Sequence, residues 1–183
     1  MPFGHGTLIK IRAQCRFFIS EGEDKTMKID PRMEELIALP APDQIGIVSR
    51  DLEKTIGGYA KLFQCGPFEI VEREYSALTS TYRGKPGGFR YRVGYAQFGV
   101  VQLEIIQPLE GKTIYDEFLE TRGDGLHHFG LMIQGIEEKV EALGRMGFQV
   151  LQSGQRPGRK YAYMDTEPVL GTIIEFREAT ATK

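Results

Sequence analysis

The sequence predicts an α+β fold in which two similar halves pair into one curved, mixed sheet with helices outside. Three observations carry that expectation. A segment of the chain is repeated. In each copy the hydrophobic spacing passes from strand to helix and back to strand. Each copy also closes on an apolar strand that holds a single glutamate.

The elements follow in order. The opening stretch, MPFGHGTLIKIRAQCRFFIS, is basic and has no acid before Glu21. It lacks an apolar core of the secretory kind and gives only a weak transit-peptide signal. Met27 opens a further segment, MKIDPRMEELIALPAP. Residues 1–41 are therefore expected to form an N-terminal extension, of which 1–26 are dispensable, and His5 carries little weight. The first copy begins at QIGIVSRDLEKTIGGYAKLFQCGPFEIV and the second at HFGLMIQGIEEKVEALGRMGFQVLQ. Laid over each other, they put Gln44 on His128, Gly46 on Gly130 and Leu52 on Ile136.

Each copy opens with a strand, Ile45-Gly46-Ile47-Val48 or Phe129-Gly130-Leu131-Met132-Ile133. A helix follows. Leu52, Ile56, Tyr59 and Phe63 form one apolar stripe; Ile136, Val140 and Leu143 form the other, with Gly147 in the last slot and Met146 beside it. Asp51 and Glu53, and Glu137 and Glu138, suit the positive ends of these helices. Gly57 and Gly58 are expected to mark a close backbone approach. Each copy leaves its helix at a glycine, Gly66 or Gly147. It returns to strands in FRYRVGYAQF, VVQLEIIQP, KYAYMD and GTIIEFRE. The halves span about 42–110 and 124–178 of a single domain over 42–178.

The bulk properties exclude several classes. A chain of 183 residues with 41% hydrophobic and 26% charged residues is globular. A formal net charge of −2 offers no footprint for nucleic acid. Cys15 and Cys65 form no metal or disulfide pattern, which points to a reducing compartment and a cytoplasmic location. No apolar run approaches the roughly 18 residues of a membrane span.

Two of the three histidines stand together in Gly123-Asp124-Gly125-Leu126-His127-His128-Phe129-Gly130. Neighbours on a regular strand face opposite ways, so only one can serve a given site. His128 superposes on Gln44 and is the candidate; His127 is expected to pack on the other side or shape the rim. The closing strands add Glu104, in Val101-Gln102-Leu103-Glu104-Ile105-Ile106, and Glu175, in Thr172-Ile173-Ile174-Glu175-Phe176. Two carboxylates inside apolar strands need a common partner. If the copies are related by a pseudo-twofold axis, Gln44, Glu104, His128 and Glu175 converge on a divalent metal.

These residues resemble the vicinal oxygen chelate superfamily, which includes glyoxalase I, methylmalonyl-CoA epimerase, extradiol dioxygenases and antibiotic-resistance proteins. The epimerase-like branch is matched best, through DQIGIVSRDLEKTIGGY, VQLEIIQPLEG, GDGLHHFGLMIQGIEE and GRKYAYMDTEPVLGTIIEF, across residues 42–178. The resemblance implies paired βαβββ modules, often assembled as a homodimer. Gln44 stands where the epimerase has histidine, and the resulting Gln-Glu-His-Glu set resembles that of glyoxalase I of the human type. With His128 as the one histidine of the set, extradiol iron chemistry is disfavoured. The strand GGFRYRVGYAQF has no carboxylate where the epimerase places a second base, and the first half lacks glyoxalase I's glutathione-binding parts.

The function expected is that of a divalent-metal-dependent isomerase or lyase, with zinc, cobalt, nickel or manganese bound by Gln44, Glu104, His128 and Glu175. Glu175, or else Glu104, removes a proton next to a metal-bound carbonyl, giving an enolate. The substrate is a small molecule, an acyl-CoA or another anionic carbonyl compound, whose acidic tail Arg83, Lys85, Arg90, Arg159 or Lys160 holds. Neither nucleic acid nor membrane is an expected partner. The alternative is a non-catalytic binding protein of the same fold, with a groove of Phe89, Tyr91, Tyr95 and Tyr163.

Overall fold

A computed structural model describes residues 38–181. Most of the expected extension, including His5 and Cys15, lies outside the described residues. The two copies of the repeat become two modules of one 10-stranded sheet.

In the first module β1 (Gln44–Val48) leads to helix α1 (Leu52–Phe63) and strands β2 (Glu69–Tyr75), β5 (Phe89–Phe98) and β6 (Val101–Glu110). In the second, β7 (Gly125–Met132) leads to α3 (Ile136–Arg145), β8 (Val150–Arg156), β9 (Arg159–Met164) and β10 (Ile173–Ala179). Within each module the first and last strands run parallel, β1 beside β6 and β7 beside β10. The modules join where β1 and β7 pair antiparallel.

Alternation along the closing strands explains their glutamates. On β6, Leu103 and Ile105 turn outward into the apolar layer that includes Leu52 of α1. On β10, Ile174 and Phe176 do the same against Ile136 and Leu143 of α3. Gln102 and Glu104 on one strand, and Glu175 and Arg177 on the other, therefore turn to the concave face, where all four line a cavity. α1 starts at Asp51, whose carboxylate accepts from the Lys54 amide.

Three features depart from the expectation. Gly57 and Gly58 face open space; the tight approach of α1 is at Gly94 of β5, where an added Cβ would lie 2.8 Å from Ile56 Cδ1. A helix between the modules, α2 (Ile114–Arg122), starts with a capping box in which Thr113 and Asp116 bond reciprocally. Its Ile114, Tyr115 and Leu119 join the aromatic cluster that fills one part of the concave side. Finally, the β2–β5 connection carries a short hairpin, β3 (Ser80–Tyr82) and β4 (Lys85–Pro86), that crosses to the second module and pairs with β8. A one-turn helix, α4 (Glu167–Leu170), precedes β10. No helix among the described residues is long and apolar enough to cross a membrane.

Candidate functional site

Cross-strand register brings the four sequence-selected residues into two neighbouring rows. One row runs Tyr95, Glu104, Gly46, His128 across β5, β6, β1 and β7. The other runs Tyr163, Glu175, Gly130, Gln44 across β9, β10, β7 and β1. The rows are the same pattern written by opposite modules. Each glycine leaves room for the other module's polar side chain. A methyl on Gly46 would overlap the His128 ring, and one on Gly130 would lie 2.6 Å from Gln44 Oε1.

All four side chains are buried: Gln44 is 2% exposed, Glu104 6%, His128 0% and Glu175 6%. His128 Nε2 lies 3.2 Å from Glu104 Oε2 and 3.5 Å from Glu175 Oε2. Gln44 Nε2 donates to Gln102 Oε1 at 2.8 Å, which leaves Gln44 Oε1 without a donor. Gln44 Oε1, Glu104 Oε2, His128 Nε2 and Glu175 Oε2 are all buried without a well-directed hydrogen bond. Orphaned buried acceptors of this kind are costly. A cation shared among them removes that cost, and Glu104, His128 and Glu175 offer ligand atoms within 4.8 Å of one another. The residues present thus fit a divalent ion.

The same geometry governs protonation. Burial works against a charge on His128, but the hydrogen-bonding and charge interactions with Glu104 and Glu175 prevail and raise its pKa to about 9. Two buried carboxylates secure a positive partner, either a proton on His128 or a metal.

His127 does not face away. The β1–β7 register shifts between Gly46 and Ile47, which pair with His128 and Leu126, so His127 is the extra residue of a β-bulge. The bulge breaks the alternation on which the expectation rested. Its Nδ1 lies 2.9 Å from His128 Nδ1, and its ring packs edge-on against Tyr115, Phe118 and Tyr163. Burial, and then the neighbouring His128 charge, push its pKa well below the usual value, so it is neutral. With His127 neutral, it can accept from His128 Nδ1, and that contact holds the His128 ring with Nε2 toward the carboxylates.

The cavity lined by Gln44, Glu104 and Glu175 has a volume of about 180 Å³. Tyr91, Tyr95, Tyr115, Tyr161 and Tyr163 line it, while Phe89, expected there, is buried in the aromatic cluster instead. Burial raises the pKa of each of these phenols, so they are neutral hydroxyls.

Of the cations expected to hold an acidic tail, only Arg159 lines the cavity. Arg83 pairs with Glu117, Arg90 with Glu72 and Glu110, and Lys160 with Glu137, while Lys85 is exposed on β4. The sequence reading missed Arg73 of β2 and Arg156 of β8, which do line it. The available signal was Val71, Arg73 and Tyr75, alternate residues on one face of a strand otherwise crowded with glutamates.

Comparison with known proteins places the chain in a family. The model of the Glyoxalase/Bleomycin resistance protein/Dioxygenase superfamily matches residues 43–163. The uncharacterised protein YqjC of Bacillus subtilis is 30% identical over 92 residues, which cover 49% of this chain and 66% of that protein. Among solved structures, a variant of Streptomyces coelicolor methylmalonyl-CoA epimerase in complex with 2-nitronate-propionyl-CoA aligns with a TM-score of 0.57 at 18% identity, covering 80% of this chain and 99% of the other. The epimerase of Mycobacterium tuberculosis aligns at 0.54 and 16% identity, covering 80% and 95%. A hypothetical protein of Bacillus halodurans aligns at 0.54 and 20% identity, covering 78% and 96%. At these identities the structures share the fold.

Proposed function

Because the chain belongs to the glyoxalase/bleomycin resistance protein/dioxygenase superfamily, we propose that it is a divalent-metal-dependent isomerase or lyase of the glyoxalase/epimerase type. The observation that carries this reading is the set of four buried, hydrogen-bond-orphaned atoms from equivalent places in the two modules: those of Gln44, Glu104 and Glu175, whose side chains line one cavity, and that of His128 beside the two carboxylates. Gln44, Glu104, His128 and Glu175 would hold the ion, and a set of oxygens with one imidazole suits zinc, cobalt, nickel or manganese. When bound, the ion supplies Lewis-acid stabilisation of negative charge developing on a substrate carbonyl oxygen.

The chain's own residues do the rest. Glu175, or Glu104 from the opposite module, accepts the proton from the carbon beside the carbonyl and returns it at the same or a neighbouring atom. His127 holds the His128 ring in register. The tyrosine hydroxyls, kept neutral by burial, donate hydrogen bonds and do not act as bases. The substrate is a small carbonyl compound, with the acyl group of a CoA thioester among the candidates. A homodimeric, cytoplasmic protein completes the reading, and sedimentation of the purified chain tests the dimer.

The test has two parts. Elemental analysis and metal titration should find one divalent ion per chain. In deuterated water, the metal-loaded protein should exchange the α-proton of at least one substrate in a panel of acyl-CoA thioesters and methylglyoxal with glutathione. A protein that takes up no divalent metal sinks the proposal. The tyrosine-lined cavity favours a second reading, a non-catalytic binder, which a metal-loaded protein that binds a panel member without any exchange would support.

A further inference from the structure

We infer that Arg73, Arg156 and Arg159 form an anion subsite, and that the substrate carries a carboxylate or phosphate group in addition to its carbonyl. This rests on the proposed function only in placing the carbonyl at the Gln44, Glu104, His128 and Glu175 cluster.

Three observations carry it. The first is selective pairing. Arg50, Arg83, Arg90, Arg92, Arg122, Arg145 and Arg177 each lie within ion-pair distance of a carboxylate. Among the described residues, Arg73, Arg156 and Arg159 make no such pair, and all three line the cavity. Unpaired guanidinium groups gathered at one half-buried place, while those elsewhere find partners, mark a site whose anion comes from outside the chain.

The second observation is the chemistry at the arginines. Arg73 Nε is buried and has no hydrogen-bond partner, and neither has the Tyr161 hydroxyl that shares the cavity wall. Guanidinium and phenol together present donors and no competing base, which is the complement of an oxyanion.

The third is charge. Glu104 and Glu175 both face His128, and Arg177 is engaged with Asp43. What remains on the wall is three guanidiniums against the exposed carboxylate of Glu69. The fold keeps them together. Arg73 comes from β2 at one end of the sheet, and Arg156 and Arg159 close the β8–β9 hairpin near the other, paired to each other in the ladder. Curling of the sheet brings β2 and β8 into contact. The crossing hairpin pairs β3 with β8, which pins that strand where the ring of ten nearly closes.

The experiment is calorimetric titration of the full chain, with and without zinc, using inorganic phosphate, malonate and malonamide as probes. Phosphate or malonate should bind, and uncharged malonamide should not. Arg73→Met, Arg156→Met and Arg159→Met should each weaken the anion about ten-fold or more, the loss of one charged hydrogen bond. Zinc affinity should be unchanged. Arg73→Lys should recover part of the affinity, and the paired surface variant Arg50→Met should bind like wild type; both guard against a folding artefact. Preference for phosphate identifies a phosphorylated substrate, and preference for malonate a carboxylic one. The inference is overturned if neither anion binds at about 20 mM, where even weak oxyanion sites fill, or if the triple Arg→Met chain, folded by circular dichroism, binds as wild type does. The two readings fail separately. Phosphate binding that needs the arginines in a chain that takes no zinc leaves the subsite standing and removes the metal. Zinc binding without arginine-dependent anion binding does the reverse.

Discussion

The two modules write the same row of residues and then treat it differently. Tyr95, Glu104, Gly46 and His128 in one row answer Tyr163, Glu175, Gly130 and Gln44 in the other. Three differences break the symmetry. The imidazole comes from the second module and the amide from the first. The strand that carries the imidazole is bulged, so His127 stands behind it. Two residues beyond each glutamate, the first module has buried Ile106, while the second has Arg177, whose Nε is 3.7 Å from Glu175 Oε2. The repeat thus sets the four side chains in matching rows, and the two copies give the carboxylates unlike neighbours. The proposed function, holding an ion and moving a proton, would use that inequality.

The comparison can be broken most sharply at the carboxylates. Glu175→Gln keeps size and one oxygen donor, so zinc should still bind at high concentration. Exchange of a substrate α-proton should fall by about 10² to 10⁴. If metal-loaded Glu175→Gln exchanges as fast as wild type, Glu175 is a ligand only, and Glu104→Gln then decides whether the first module carries the proton.

The rest of the asymmetry predicts smaller effects. Gly46→Ala should cost about 1 to 3 kcal/mol in thermal or denaturant unfolding, because the new methyl overlaps a ring enclosed on all sides. Gly130→Ala should cost less, since it meets the end of a flexible amide. Equal costs would show that the two rows are equally rigid. His127→Phe keeps a ring but removes the acceptor for His128. It should lower zinc affinity about 10- to 100-fold, with partial recovery in His127→Gln. Unchanged affinity would make the bulge a packing feature.

Acid–base behaviour tests the shared-cation argument. Without metal, folding raises the His128 pKa from 6.5 to about 9. The stability this supplies is complete below about pH 6.5 and is lost as pH rises through about 9. The melting temperature of the metal-free chain should therefore fall across that interval, and the zinc-loaded chain, whose ion replaces the proton, should not follow it. Parallel curves would separate His128 from the carboxylates. The smallest effect belongs to the hairpin that only the first module carries. Tyr82 and Arg83 both bond Glu117 of α2, but the Arg83 side chain is 48% exposed and that of Glu117 28%. Glu117→Gln should cost below about 1 kcal/mol in unfolding free energy.

The sequence by itself determined the repeat, the two helix stripes, the glutamates in apolar strands and the four candidate positions. Each is written in local spacing, 3.6 residues for a helix and two for a strand, and the repeat supplied the correspondence between halves. α2 was missed: its capping signal stands in Thr113-Ile114-Tyr115-Asp116, but its stripe is short and lies between the copies, where the repeat gives no guide. Only the tertiary structure decided the rest. The bulge at His127 arises from register between two strands whose paired residues lie some eighty positions apart. Which arginines are spent on the surface and which face the cavity depends on the carboxylates that folding brings near them. Arg90 meets Glu72 and Glu110 across the sheet, whereas Arg73, among glutamates in sequence, turns inward away from them. Ion pairing is a property of distance in space, and no local spacing of residues encodes it.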